Sequence, residues 1–407
     1  MALFAVTGLS SRAHAQVVQF DTTHTLFHEA PTKSNMTVYT PSTDLEANAA
    51  DWLTVRGGWE ADVVSGASVA VKAGGAYGAT HPGADVVTSA SVRDMRNLGR
   101  GGFTLRKDAV SLTGNYAYST ENDYRSNTIN VAARTDTYEH DTTFELSYAH
   151  NFDSVCDRVQ SQADASPARW RALEDSGGCF KNTNALRTTL PVAIDSFQGS
   201  WTQAWTPVFS TQAVYTASIT SGFQSNPYRS VIVAEGLEAQ EHDPDNRARE
   251  ALALRANLFL KSLKAALRLS VRAYWDTWDV KSGTAEAEFE KYFGESFRVS
   301  ARVRFYKQSG ALFWSDDYTG GNAPLGPKGQ YFTGDRELSP FSSLLGGLRA
   351  VYTLTPARKR LLGVMTSFKA GLTGDIVDFH YEDFTLGGVP LEGTQAYIAG
   401  LDLSALF

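Results

Sequence analysis

The sequence predicts an all-β protein: a transmembrane antiparallel up-and-down β-barrel of about sixteen strands, preceded by a signal peptide. Three observations carry this expectation. Apolar and polar side chains alternate along most of the 407-residue chain, as in strands with one face in lipid and the other in a polar lumen. The alternating segments are joined by connections that switch between short and long. No apolar stretch approaches the roughly 20 residues that a spanning helix needs.

In chain order, the first segment reads as an export signal. Ala2-Leu3-Phe4-Ala5-Val6 is apolar and Ala13-His14-Ala15 is an A-x-A cleavage pattern. Residues 1–15 are expected to be removed by maturation before Gln16, leaving residues 16–407 as the barrel. A charged n-region is missing, so the true start codon is expected further upstream.

Sixteen segments then follow the alternation: 17–28, 36–48, 52–64, 98–106, 109–120, 124–137, 142–153, 191–205, 208–221, 247–261, 264–278, 282–293, 296–309, 339–354, 361–378 and 391–407. Between Arg249 and Lys261 the even positions Leu252, Leu254, Ala256, Leu258 and Leu260 are apolar, while Arg249, Arg255, Asn257 and Lys261 are odd. Ala265, Leu267, Leu269, Val271, Ala273 and Trp275 oppose Arg268, Ser270, Arg272 and Asp276 in the next segment. Ala, Leu, Arg and Lys are good helix formers, but a 3.6-residue period would break such sustained alternation.

Short connections such as Lys107-Asp108, Thr206-Pro207 and Gly294-Glu295 are expected at the periplasmic end. Longer loops, around 65–97, 154–190, 222–246, 310–338 and 379–390, are expected at the opposite end. An even strand count puts both termini on the periplasmic side. The segment Ser65 to Leu98, too long for a turn and too apolar for a well-solvated loop, is expected to fold inward as a constriction or partial plug, the alternative being a segment that extends strands beyond the membrane or is mobile. Trp52, Trp59, Tyr116, Tyr118, Tyr148, Trp201, Trp205, Tyr274, Trp275 and Trp278 cluster near strand ends and are expected to form aromatic girdles at the headgroup levels.

In the last strand Tyr397, Leu401, Leu403 and Phe407 share one side with Ala399 and Ala405. The pattern is similar to the C-terminal signal read by the barrel-assembly machinery, although Ala405 stands where Tyr is common. The two cysteines, Cys156 and Cys179, lie in one polar connection. In an exported protein such a pair is expected to form a disulfide, worth about 3 kcal/mol in the chain-entropy model.

Net charge is −7, which gives a nucleic-acid partner no electrostatic support. The partners expected are outer-membrane lipids, lipopolysaccharide and the assembly machinery. No cofactor, metal-ligand spacing, G-x-S-x-G or H-E-x-x-H is present in the sequence.

Over nearly its whole mature length the chain resembles a family of uncharacterised outer-membrane barrels, domain of unknown function 3570. The matching stretches are Ser119 to Tyr124 (STENDY), Ser147 to Cys156 (SYAHNFDSVC), Thr202 to Pro207 (TQAWTP), Asn226 to Arg229 (NPYR), Arg249 to Asn257 (REALALRAN), Tyr274 to Trp278 (YWDTW) and Arg304 to Tyr318 (RFYKQSGALFWSDDY). The resemblance implies location and fold and leaves activity open.

The chemistry expected in the lumen is a charged wall. Arg249 and Arg255, then Arg268 and Arg272, then Arg298, Arg302 and Arg304 alternate inward, with Glu286, Glu288 and Glu290 on the segment between the last two groups. Opposite charges on neighbouring strands can pair across the sheet, giving a structural ladder. Guanidiniums left over would favour anions. Two readings follow: a channel for small polar or anionic solutes, or a structural, surface-interacting barrel with a plugged lumen and a disulfide-tied loop. Catalysis stands third, since His150 shares the outward side with Tyr148 and Phe152. Asp243, Asp245, Asp316 and Asp317 are expected to be solvated loop acids.

Overall fold

In a computed structural model, the structure describes residues 17–30, 36–65, 86–88, 93–121, 123–156, 180, 189–226, 229–234, 237–315, 318, 325–326, 329–356, 361–386, 389–390 and 393–407. In chain order the strands are β1 (Val18–Ala30), β2 (Met36–Ala50), β3 (Leu53–Ser65), β4 (Val86–Thr88), β5 (Arg93–Lys107), β6 (Val110–Thr120) and β7 (Tyr124–Thr137). These are followed by β8 (Thr142–Cys156), β9 (Thr189–Thr206), β10 (Phe209–Gly222), β11 (Arg229–Ala234), β12 (Leu237–Gln240), β13 (Asn246–Leu260) and β14 (Ala265–Asp276). The last are β15 (Lys281–Phe293), β16 (Phe297–Gln308), β17 (Phe341–Leu354), β18 (Ser367–Tyr381), β19 (Thr385–Leu386), β20 (Val389–Pro390) and β21 (Gly393–Leu406).

Sixteen of these form one closed antiparallel barrel in the order β1-β2-β3-β5-β6-β7-β8-β9-β10-β13-β14-β15-β16-β17-β18-β21. The seam is β1 against β21, in register from Gln19↔Leu406 to Ala30↔Gln395. Closure removes every free sheet edge, which a lipid environment requires.

At the short-turn end, tight turns use left-handed residues. Asp108 has φ 51°, Gly294 φ 70°, and Lys264 φ 47° after the 3₁₀ turn Lys261–Leu263. Asp and Gly tolerate this region best. The expected spans differ from the observed ones chiefly at two places. β5 starts at Arg93 rather than 98. β18 starts at Ser367 rather than 361, because Leu361 and Met365 close a tight turn through left-handed Leu362 (φ 52°) and Gly363 (φ 81°).

The alternation resolves into an apolar outside and a polar inside. Leu252, Leu254, Leu269, Val271, Val303, Phe305, Leu348, Leu372, Tyr397 and Leu401 are all exposed on the outer surface. The outward polar residues His28, Asn127, Glu250 and Asp378 each lie about ten residues from their short-turn end, the length of one tilted crossing. A barrel with this outer band is built to sit in lipid. The expected girdle residues Trp52, Trp59, Tyr116, Tyr118, Tyr148, Trp201, Trp205 and Trp275 are exposed outward.

Tyr274 and Trp278 are exceptions to the girdle. Tyr274 alternates with Trp275 and faces the lumen, where it donates to Asp276. Trp278 is buried in a cluster with Val280, Ala311, Phe313 and Leu338.

Residues 1–16 and Cys179 lie outside the described residues, so the signal peptide and disulfide expectations do too; Cys156 is fully buried at the end of β8. Of the segment 65–98, the described parts are β4, which pairs with β11 in a small sheet, and the first residues of β5 in the barrel wall. The rest lies outside the described residues.

Candidate functional site: the lumen wall and its mouth

The ten charged residues expected in the lumen all lie on inward positions of β13 to β16, but register divides them. On β14 to β16 the ladder forms. Arg268 faces Glu288 in register and bonds it at 2.7 Å, while its other arm reaches Glu290 at 3.0 Å. Arg298 lies 3.7 Å from the same Glu290.

Arg302 also faces Glu288 in register yet pairs elsewhere, with Asp375 on β18 at 2.5 Å. That contact crosses an intervening strand. Gly347 of β17 is the register partner of both Arg302 and Asp375, and a Cβ there would collide with Asp375 Oδ1. Glycine is what allows the pair to meet. Glu286 and Arg304 face each other in register without forming an ion pair within 4.0 Å among the described residues.

On β13 and β14 the ladder fails. Arg255 has Gln212 and Ser270 as register partners and donates to Gln212 Oε1 at 3.0 Å. Arg272 faces Ala253 and Thr284, its guanidinium 5.5 Å from the Tyr274 ring centroid. Arg249 does face a carboxylate, Asp276, but that carboxylate is saturated. Asp276 Oδ2 accepts from Arg247 at 2.5 Å and Tyr274 at 2.6 Å, and Oδ1 accepts from the amides of Trp278 and Val280 at 2.9 and 3.0 Å. Arg249, Arg255 and Arg272 therefore form no carboxylate pair among the described residues.

Arg249 and Arg272 look onto β8–β10, and Arg255 onto Gln212 of β10. That wall presents Ser147, Ser196, Gln198, Thr216 and Ser218, which line a cavity of about 360 Å³ with Arg249, Arg272 and Tyr274.

A second ionic cluster, absent from the sequence expectations, stands across the barrel on β2, β3 and β5. Arg100 binds Asp44 at 2.6 Å and Glu60 at 3.3 Å; Arg96 binds Asp62 at 2.6 Å and Glu60 at 3.0 Å. Here too a glycine, Gly58, stands in register between Asp44 and Arg100, and a Cβ would collide with Asp44. Each strand alone carried isolated charges; only an inward Asp-Gly-Arg row across three strands would have signalled the pairing.

The mouth at the long-loop end is crossed by the β16–β17 connection. Its 3₁₀ turn Arg336–Leu338, capped by the Asp335 side chain, places Arg336 against Glu29 of β1 at 2.6 and 3.2 Å. Glu29 is 2 % exposed, and Thr394 of β21 also donates to it, at 3.4 Å. The other side of the same turn, Asp335, Glu337 and Leu338, lines a cavity of about 650 Å³ with Tyr124, Val192, Ile194 and Thr220 from the far wall. The turn thus stands between opposite walls.

Two loops share this cap. Backbone groups of His242 and Phe332 exchange bonds at 3.0 and 3.1 Å. Glu241, also 2 % exposed, accepts from Thr333 Oγ1 at 2.8 Å and Asn226 N at 3.0 Å. Tyr318 donates to Phe313 O at 2.5 Å and accepts from Thr333 N at 3.1 Å. Burial pushes its phenol well above the ordinary range, so it remains a donor.

Asp243 is buried rather than solvated, because the loops fold over it; Asp245 is exposed, and Asp316 and Asp317 lie outside the described residues. His242 is held by Gln330 O at 2.7 Å. His150 sits on the outer surface as expected, bonded to Asp195 at 2.8 Å, and Tyr148 donates to the same oxygen at 2.6 Å. Tyr397, Leu401, Leu403 and Phe407 lie along the outer side of β21 and its end, with Tyr397, Leu401 and Phe407 exposed.

The family described as "Protein of unknown function (DUF3570)" matches residues 2–366. No curated protein matches the chain. Among solved structures, a bacterial polysaccharide outer membrane secretin is similar at TM-score 0.48 and 9 % identity, covering 96 % of this chain and 98 % of that one. OccK2 (OpdF) of Pseudomonas aeruginosa is similar at TM-score 0.43 and 7 % identity, covering 97 % and 98 %. The outer membrane protein opdK of the same organism reaches TM-score 0.41 at 6 % identity, covering 96 % and 99 %.

Proposed function

The chain belongs to the family of unknown function DUF3570, and from that premise we propose that it is a bacterial outer-membrane channel for small polar or anionic solutes. One observation carries this reading: Arg249 and Arg272 line a cavity with hydroxyls of β8–β10, Arg255 bonds only the neutral Gln212, and none of the three has a carboxylate pair among the described residues. A guanidinium neutralised by a carboxylate adds no field to the lumen, whereas an unpaired one does. A sixteen-strand barrel is wide enough for an aqueous path.

Export of the chain through the periplasm, with residues 1–15 as its signal, belongs to the same reading. So do lipopolysaccharide as the outer-leaflet neighbour and β21 as the strand engaged by the assembly machinery. A Cys156–Cys179 bridge would tie the β8–β9 loop at the cell surface.

A second reading, a structural barrel closed at its mouth, is favoured by the Arg336–Glu29 latch across the opening. Conductance of the refolded protein in a planar bilayer separates the two. Steady openings with a reversal potential on the anion side are expected, and a folded barrel that passes no current would favour the closed reading.

A further inference from the structure

We propose that the lumen holds a binding site for a small hydroxylated carboxylate, formed by Arg249 and Arg272 over the hydroxyl face of β8–β10. The inference rests on the channel reading for access and names the class of solute that would pause there. The cavity of about 360 Å³ is at the small end of ligand sites.

The cationic side is held in place. Arg272 lies against the Tyr274 ring, and Tyr274 is itself anchored by its bond to Asp276. Asp276, the carboxylate nearest in register to Arg249, is consumed by Arg247, Tyr274 and two loop amides. Of the charged residues lining the cavity, Glu250 bears the only carboxylate, and that side chain is turned to the outer surface, where Tyr215 donates to it at 2.9 Å. The guanidiniums thus keep donors for a solute, and their planar forks match a carboxylate better than a point charge would.

The opposite side decides the rest of the ligand. Ser147, Ser196, Thr216 and Ser218 are hydroxyls that donate or accept, and Gln198 does both through its amide. Ser196 and Ser218 lie 3.2 Å apart, so a row of donors and acceptors faces the guanidiniums. An apolar carboxylate would strip water from these groups without replacing it. A bare inorganic oxyanion would engage the arginines and leave the row unused. A carboxylate carrying several hydroxyls satisfies both sides.

The test uses the full refolded barrel in a planar bilayer, with sodium gluconate added to a chloride bath. Transient current interruptions are expected in the unaltered protein. Arg249→Gln/Arg272→Gln should shorten them at least ~10-fold, as loss of charge-assisted hydrogen bonds implies, while Arg249→Lys/Arg272→Lys restores them in part. Ser196→Ala/Thr216→Val should shorten gluconate interruptions and leave those from inorganic phosphate unchanged. Lys307→Gln, at the loop-end rim, serves as the control for folding. A conducting barrel without gluconate interruptions would overturn the site and leave the channel reading standing. Phosphate interruptions as long as those of gluconate would overturn the hydroxyl recognition. A silent barrel sinks the channel reading; titration calorimetry with gluconate on the detergent-solubilised protein then decides the site, with no heat of binding counting against it.

Discussion

Two neighbouring arginine-bearing walls on the inner surface of this barrel read alike in sequence and behave oppositely in structure. On β14–β18, Arg268, Arg298 and Arg302 are each drawn to a carboxylate. On β13–β14, Arg249, Arg255 and Arg272 have no such partner among the described residues. What differs is whether a carboxylate within reach still has a free oxygen. Glu288, Glu290 and Asp375 accept from the first wall, while Arg255 and Arg272 face Gln212, Ser270, Ala253 and Thr284, and Arg249 faces an Asp276 already taken by Arg247 and Tyr274. Whether an inward arginine is neutralised depends on which carboxylates within reach are still free, and not on its register partner alone. In the proposed channel the paired wall holds the sheet together and the unpaired wall supplies the field.

Substitutions that leave a buried carboxylate alone should therefore cost stability, and those on the unpaired wall should cost selectivity. The largest effect is expected for Arg336→Ala, which strands Glu29 and frees the mouth turn. Losing one partner of such a pair is worth about 4 kcal/mol, read as a lower denaturant midpoint in lipid vesicles, and conductance should rise. An unchanged conductance would mean that the turn does not obstruct the path.

Arg302→Ala should follow at about 3 kcal/mol, because Asp375, whose side chain is 1 % exposed, would be left without its cation. Gly347→Ala tests the same pair without touching either charge. The added methyl drives Asp375 aside, at an expected cost of about 2 kcal/mol; stability equal to that of the unaltered protein would show that the pair does not need the glycine. Arg255→Gln should be smallest, within about 0.5 kcal/mol, yet it should lower anion preference.

Much of the barrel was legible in the sequence because a two-residue period and turn chemistry are local signals. Arg249 to Lys261 can be oriented from its own side chains, and the alternation bounds β7 at Tyr124 and Thr137, where the strand begins and ends. The alternation places the start of β18 too early because Leu361 and Val364 look strand-like while the left-handed Leu362-Gly363 turn is visible only in the backbone.

The site was legible in composition and not in pairing. That Arg302 would pass over Glu288 for Asp375 depends on the stagger of three strands and a glycine between them. The mouth latch joins residues 307 apart in sequence, and the inward turn of Tyr274 was masked by its neighbour Trp275. These are non-local facts, and no window along the chain contains them.

The most direct test of the central claim is the reversal potential in a potassium chloride gradient. It should be measured for the unaltered barrel, for Arg249→Gln/Arg255→Gln/Arg272→Gln, and for Arg268→Gln/Arg298→Gln with Glu288→Gln/Glu290→Gln. Anion preference should fall sharply in the first variant, to what Arg304 alone supports, and persist in the second, whose net charge is unchanged. Preference that survives in the first and disappears in the second would place the field on the paired wall and contradict the account.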